Sequence, residues 1–141
     1  MNKLSVFDGS CACGNVAISI NLPNSVKISE ARRCDCDFCR SYAAAYVSHP
    51  EGEAAFTIRD TLKTEKLRQG TATAWFLVCS QCGNLICAIY EDKNQVYASV
   101  NAACMPKLKN LEERVVSPQL LDKEQKTTRW RKGFFRGKFT S

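Results

Sequence analysis

Seven of the nine cysteines in this chain fall into three tight clusters: Cys11-Ala12-Cys13, Cys34-Asp35-Cys36-Asp37-Phe38-Cys39 and Cys79-Ser80-Gln81-Cys82. An odd cysteine count does not resolve into a complete disulfide framework. In a reducing compartment, clustered thiols act as metal ligands rather than as bridges. The opening Met1-Asn2-Lys3-Leu4-Ser5-Val6-Phe7-Asp8 breaks into polar residues before an apolar signal core forms. The longest apolar stretch, Ala74-Trp75-Phe76-Leu77-Val78-Cys79, is too short to span a bilayer. The expected setting is therefore cytoplasmic, with no membrane partner.

The local geometry of each cluster suits chelation. On an extended C-x-C pair both sulfurs leave the same face, because side chains alternate with period two. A C-x-x-C turn brings two sulfurs to one metal. Gly14 and Gly83 directly follow the second cysteine of their pairs, where a left-handed turn favours glycine. Zinc takes four ligands in a tetrahedron, and the clusters offer two, three and two. The simplest partition joins Cys11, Cys13, Cys79 and Cys82 into one closed Zn²⁺ site. Cys34, Cys36 and Cys39 are then a three-ligand Zn²⁺ set with one position left for substrate or water. A rival partition completes the trio with His49 or Cys104 and makes both sites structural. Any single pair also has a simpler reading as two buried cysteines. Cys87 sits in an apolar run and reads as core.

The 141 residues fit one core, and 45% hydrophobic with 24% charged residues is an ordinary globular balance. Val16, Ile18, Ile20 and Leu22 alternate with Ala17, Ser19 and Asn21 as a half-buried strand, closed by a turn at Pro23-Asn24-Ser25. Tyr46–Ser48, Ala55–Ile58, Trp75–Val78, Leu85–Tyr90 and Gln95–Val100 read as further strands. Leu62–Arg68 reads as a strand or a short helix closed by Gln69-Gly70, and Asp37–Ala45 as a short helix. The pattern predicts a mainly β domain over residues 1–121. Residues 122–141 differ: Lys123, Lys126, Arg129, Arg131, Lys132, Arg136 and Lys138 are interleaved with Trp130, Phe134, Phe135 and Phe139. This stretch reads as a weakly structured basic tail. Basic residues among aromatics can neutralise phosphates and stack on bases, which gives an alternative function as a non-catalytic zinc module touching nucleic acid or protein. Seven zinc-bound thiolates would lower the formal charge of +6 to about +3, which weakens that alternative.

Taken together, Gly9-Ser10-Cys11-Ala12-Cys13-Gly14, Cys34-Asp35-Cys36-Asp37-Phe38-Cys39-Arg40 and Cys79-Ser80-Gln81-Cys82-Gly83 resemble the three signature blocks of the glutathione-dependent formaldehyde-activating family, which includes the centromere protein V domain. Val96–Asn101 is similar to the family's last core strand. The resemblance spans roughly residues 5–105. It implies a small zinc-containing β-sandwich of the Mss4-like type with few short helices. It implies a structural zinc on Cys11, Cys13, Cys79 and Cys82, and a catalytic one on Cys34, Cys36 and Cys39. The implied activity is that of a carbon–sulfur lyase-type enzyme acting on a small thiol–aldehyde adduct such as S-hydroxymethylglutathione, with glutathione and formaldehyde as partners. Arg32, Arg33 or Arg40 are candidates to meet a glutathione carboxylate, and Asp35 and Asp37 to support the ligands. The chain departs from the family where histidine is usual, with Ala12 and Asp35 in its place. It also departs after the third cysteine of the trio, where Ser41-Tyr42-Ala43-Ala44-Ala45 lacks the usual glycine. Self-association is left open by the sequence.

Overall fold

The computed structural model describes residues 4–68 and 74–141, so the expected turn at Gln69-Gly70 lies outside the described residues. Eleven strands are described: β1 Leu4–Ser10, β2 Val16–Pro23, β3 Glu30–Cys34, β4 Ala45–Val47, β5 Glu53–Ile58, β6 Thr64–Arg68, β7 Trp75–Cys79, β8 Leu85–Asp92, β9 Gln95–Asn101, β10 Glu112–Val116 and β11 Phe135–Thr140. The two α-helices are α1 Asp37–Ser41 and α2 Lys123–Gly133. The mainly β expectation with few short helices holds.

The sheet forks at β9. One edge of β9 pairs along its length with β8, from Gln95 against Asp92 to Val100 against Cys87. The other edge is divided. Tyr97 and Ala98 pair with Arg136 and Phe135 of β11, while Val100 and Asn101 pair with Val47 and Tyr46 of β4. One wing therefore runs β11-β5-β2-β1 and the other β4-β3-β10, with β8, β7 and β6 continuing beyond β9. Burial follows from position. In β2, Val16, Ile18 and Ile20 point inward and alternate with residues facing outward, as a half-buried strand requires. In β8 all of Leu85–Tyr90 are buried, because this strand is covered on both faces. Phe56, Phe135, Ile20, Leu22 and Met105 fill the main core.

Among the described residues, β1, β3, β10 and β11 lie outside the strands expected from sequence. The helix expected over 37–45 stops at Ser41, because Ala43 turns left-handed and Ala45 begins β4. Leu62–Arg68 combines both expectations, with a 3₁₀ turn at Thr61–Lys63 followed by β6.

Residues 122–141 correct the expectation of a weakly structured tail. Asp122 caps α2 and accepts from the Gln125 backbone N–H at 2.8 Å, while Gln125 reaches back to the Asp122 N–H at 3.0 Å, a complete capping box. β11 then inserts between β5 and β9, parallel to the first and antiparallel to the second. The aromatics among the basic residues are core groups. Phe135 is fully buried, Phe139 stacks on Phe56 at 4.7 Å, and Trp130 packs on Tyr90 at 5.2 Å. Rings committed in this way are not a platform for stacked bases. No helix among the described residues is long and apolar enough to cross a membrane.

Candidate metal sites and cavity

The β1–β2 turn supplies Cys11 and Cys13, while Cys79 ends β7 and Cys82 lies in the turn that follows it. Cys13 Sγ lies 3.7 Å from Cys11 Sγ and 3.5 Å from Cys79 Sγ. A tetrahedral ion with metal–sulfur bonds of about 2.3 Å asks for sulfurs about 3.8 Å apart, so the donor set fits a thiolate-loving divalent metal. Both turns end on a left-handed glycine, closed over three residues in the first and four in the second. Gly14 N–H donates to Cys11 O at 3.0 Å and Gly83 N–H to Cys79 O at 2.7 Å, with φ of 80° and 78°. The expected left-handed glycines are therefore both present. Asn84 ties the turns together, its Oδ1 accepting from Ala12 N–H at 2.6 Å and lying 3.3 Å from Cys82 Sγ. Within the tetrad the sulfurs hold their protons unequally. Burial raises the Cys82 thiol, but the backbone N–H groups of Asn84 and Cys13 outweigh it and bring it down to about 6. The Asn15 backbone N–H lowers Cys13, yet burial and the sulfurs of Cys79, Cys11 and Cys82 leave it raised to about 11.

The trio is built on a strand end and a short helix. Cys34 ends β3, Cys36 is the N-cap of α1, and Cys39 is buried on its inner face. Cys36 Sγ accepts from the Cys39 N–H at 3.4 Å and sits 3.4 Å from Cys34 Sγ. All three sulfurs lie within 4.8 Å of one another. After α1 the chain makes a Schellman turn, in which Ala43 N–H donates to Arg40 O and Ala44 N–H to Cys39 O, both at 3.0 Å. Glycine is the usual residue at the left-handed position of that turn, and here it is Ala43 with φ of 51°. The hydrogen bond shared with Cys39 pulls the Cys34 thiol down to about 6 against its burial. The same bond, then burial, pushes Cys39 far up. The buried Tyr46 hydroxyl on β4 lies 3.2 Å from Cys39 Sγ. Burial, then the Cys39 sulfur, raises the Tyr46 phenol well above its ordinary range.

The rival fourth ligands lie elsewhere. His49 occupies the turn after β4 and its Nδ1 accepts from Glu51 N–H at 3.1 Å. Cys104 is buried 3.7 Å from Leu85 O, and burial, then the sulfurs of Cys11 and Cys82 rather than those of the trio, pushes its thiol up to about 12. Cys87 is fully buried core, as expected.

The trio lines a cavity of about 280 Å³. Phe38, Tyr46, Phe76, Trp130 and Phe134 supply aromatic wall, and Arg32, Lys126, Arg129 and Asp37 the charge. Of the three arginines proposed to meet a carboxylate, only Arg32 lies in this lining. Arg33 is paired with Glu113, at 2.9 Å through Nε and 2.5 Å through an Nη, and Arg40 is exposed outside the lining. Asp35 accepts from Ser117 Oγ at 2.5 Å. Tyr46, Phe76, Trp130, Lys126 and Arg129 were not singled out for the site from sequence. They come from β4, β7 and α2, and no local motif joins them to the trio.

Comparison with known proteins agrees with this geometry. The sequence profile of the glutathione-dependent formaldehyde-activating enzyme family matches residues 6–119. The chain belongs to this family. The crystal structure of a Rhodobacter sphaeroides protein is similar, with a TM-score of 0.54 and 26% identity over 77% of this chain and 99% of that one. Comparison with curated proteins gives no match. The matched span contains both cysteine groups of this formaldehyde-activating-family chain and ends before α2 begins at Lys123. Two walls of the cavity therefore come from different parts of the chain: the sulfurs from the matched span, and Lys126, Arg129 and Trp130 from the helix beyond it.

Proposed function

We propose that this chain is a zinc-dependent carbon–sulfur lyase-type enzyme that makes or breaks a small thiol–aldehyde adduct such as S-hydroxymethylglutathione, with Cys11, Cys13, Cys79 and Cys82 holding a structural Zn²⁺ and Cys34, Cys36 and Cys39 a catalytic one. The observation that carries this reading is that the trio, with three protein sulfurs, lines a cavity large enough for a small molecule, while the tetrad is tied between two turns. Adduct formation joins the thiol sulfur to the aldehyde carbon, and the thiol proton ends on the former carbonyl oxygen. A Zn²⁺ held by the trio supplies Lewis acidity, which lowers the pKa of a thiol or polarises an aldehyde oxygen.

The chain's own residues do the rest. The Tyr46 hydroxyl lies 3.2 Å from Cys39 Sγ, and to a metal-bound Cys39 thiolate, which has no proton to give, it would donate, fixing that sulfur's orientation and moderating its basicity. Phe38 packs on Phe76 at 4.7 Å and on Tyr42 at 5.3 Å, giving an apolar wall beside the trio that excludes water. The test is the rate of adduct formation and decomposition above the uncatalysed background. Zinc-loaded wild type should accelerate both directions, and Cys36→Ser should return the rate to background. An equal rate in the variant would defeat the reading.

A further inference from the structure

The cavity is electrostatically lopsided. Its lining carries three cationic side chains, Arg32, Lys126 and Arg129, against one carboxylate, Asp37. Even with the trio carrying one net negative charge around a divalent ion, the lining stays positive. Neighbouring arginines are paired: Arg33 with Glu113, Arg114 with Glu30, and Arg131 with Asp92. Among the described residues, no carboxylate lies within ion-pair distance of Arg32, Lys126 or Arg129. Arg32 instead donates to two neutral hydroxyls, Ser48 Oγ and Ser99 Oγ. Both guanidiniums are half-buried and line the same cavity. Unpaired, partly desolvated cations facing one another are costly in a folded protein. An anion between them would remove that cost.

We propose that Arg32, Lys126 and Arg129 form an anion-binding end of this cavity that holds a carboxylate of the substrate thiol, so that α2 selects acidic thiols over neutral ones. The substrate assignment rests on the adduct chemistry proposed above, but the anion site itself does not. The presentation is rigid. Lys126 and Arg129 are three residues apart on α2 and so share one face. The helix is fixed by its Asp122 capping box and by Trp130 packed on Tyr90. Arg32 projects from β3, two residues before Cys34, so its strand ties the anion end to the trio. Guanidinium groups match a carboxylate with paired N–H donors, a geometry that a lysine alone does not give.

The experiment is equilibrium binding to the zinc-loaded full chain, read by Trp fluorescence and calorimetry, with S-methylglutathione as probe. Its blocked sulfur removes any dependence on thiol ionisation. The comparison ligand is S-methylglutathione diethyl ester, which has the same body without carboxylates. The free acid should bind at least about tenfold more tightly than the diester. Arg129→Gln should bring that ratio close to one, Arg129→Lys should restore part of it, and zinc content should be unchanged in both. Raising the salt concentration should weaken the acid and leave the diester unaffected. A wild-type ratio near one, absence of binding by either ligand, or an unchanged ratio in Arg129→Gln and in the Lys126→Gln/Arg129→Gln double variant would overturn the proposal. Cys36→Ser separates the two readings: loss of turnover with the acid preference kept supports both. A preference kept in a chain that never turns over sinks the lyase reading alone.

Discussion

The two cysteine groups are made of the same atoms at the same spacing, yet the fold treats them differently. The tetrad draws its sulfurs from two turns 66 residues apart in sequence, and a shared asparagine, Asn84, bridges them. The trio draws its sulfurs from six consecutive residues, and what surrounds them comes from far away: Tyr46 on β4, Phe76 on β7, and Arg129 and Trp130 on α2. A cross-link between distant turns restricts the unfolded chain and so stabilises the fold. A local cluster of three restricts little, but it sits where other elements build a cavity. On the function proposed above, ligand count and chain separation would give one group the stabilising role and the other the chemistry.

The sharpest way to break this comparison is to remove one sulfur from each group. Cys79→Ser should destabilise the chain by more than about 5 kcal/mol, a large share of a typical domain's stability, and abolish cooperative thermal unfolding. Cys36→Ser should leave the thermal midpoint within a few degrees while cutting adduct turnover by about a hundredfold or more. Equal thermal shifts in the two variants would contradict the division of labour. Tyr46→Phe should act only on the trio, lowering its zinc affinity by about tenfold and turnover with it, since it deletes the hydroxyl 3.2 Å from Cys39 Sγ.

Acidification gives a finer contrast. Thiolate ligands must be deprotonated, so protons compete with metal and occupancy falls as pH falls. With three protein sulfurs instead of four, the trio should release its zinc at the higher pH, giving two separated steps in a chromophoric chelator titration. A single step would join the sites.

The smallest effects test the turns. Gly83 has φ of 78° and open space around a would-be Cβ, so Gly83→Ala should cost about 1 kcal/mol through backbone strain alone. Ala43 at the trio already carries that strain, and Ala43→Gly should add about 0.5 kcal/mol of stability in chemical denaturation.

How much of this was legible in the sequence follows from where each interaction is encoded. The sulfur groups were legible because chelation is local and the spacing shows it. Strands β2, β5, β7, β8 and β9 were legible because burial writes period two or continuous apolarity into their residues. β3 and β10 were not, since Glu30–Cys34 and Glu112–Val116 are polar and pair in parallel through Arg33–Glu113 and Arg114–Glu30. β11 carried a readable alternation, with Phe135, Gly137 and Phe139 turned toward the interior and Arg136, Lys138 and Thr140 exposed. Its charge drew attention away from its period. The same charge suggested a surface function for Lys126 and Arg129, which instead face the cavity. No sequence motif links residues 32, 46, 76 and 129; only the fork in the sheet at β9 and the return of α2 bring them together.

The central claim is that one metal is held by four protein sulfurs and the other by three. Zinc K-edge X-ray absorption on the fully loaded wild-type chain, alongside zinc stoichiometry, tests it most directly. The account predicts two zinc ions per chain, an average of about 3.5 sulfur neighbours, and a light-atom contribution that disappears from the spectrum of Cys36→Ser together with one zinc. Four sulfurs around every zinc, or a single zinc per chain that survives in Cys36→Ser unchanged, would contradict it.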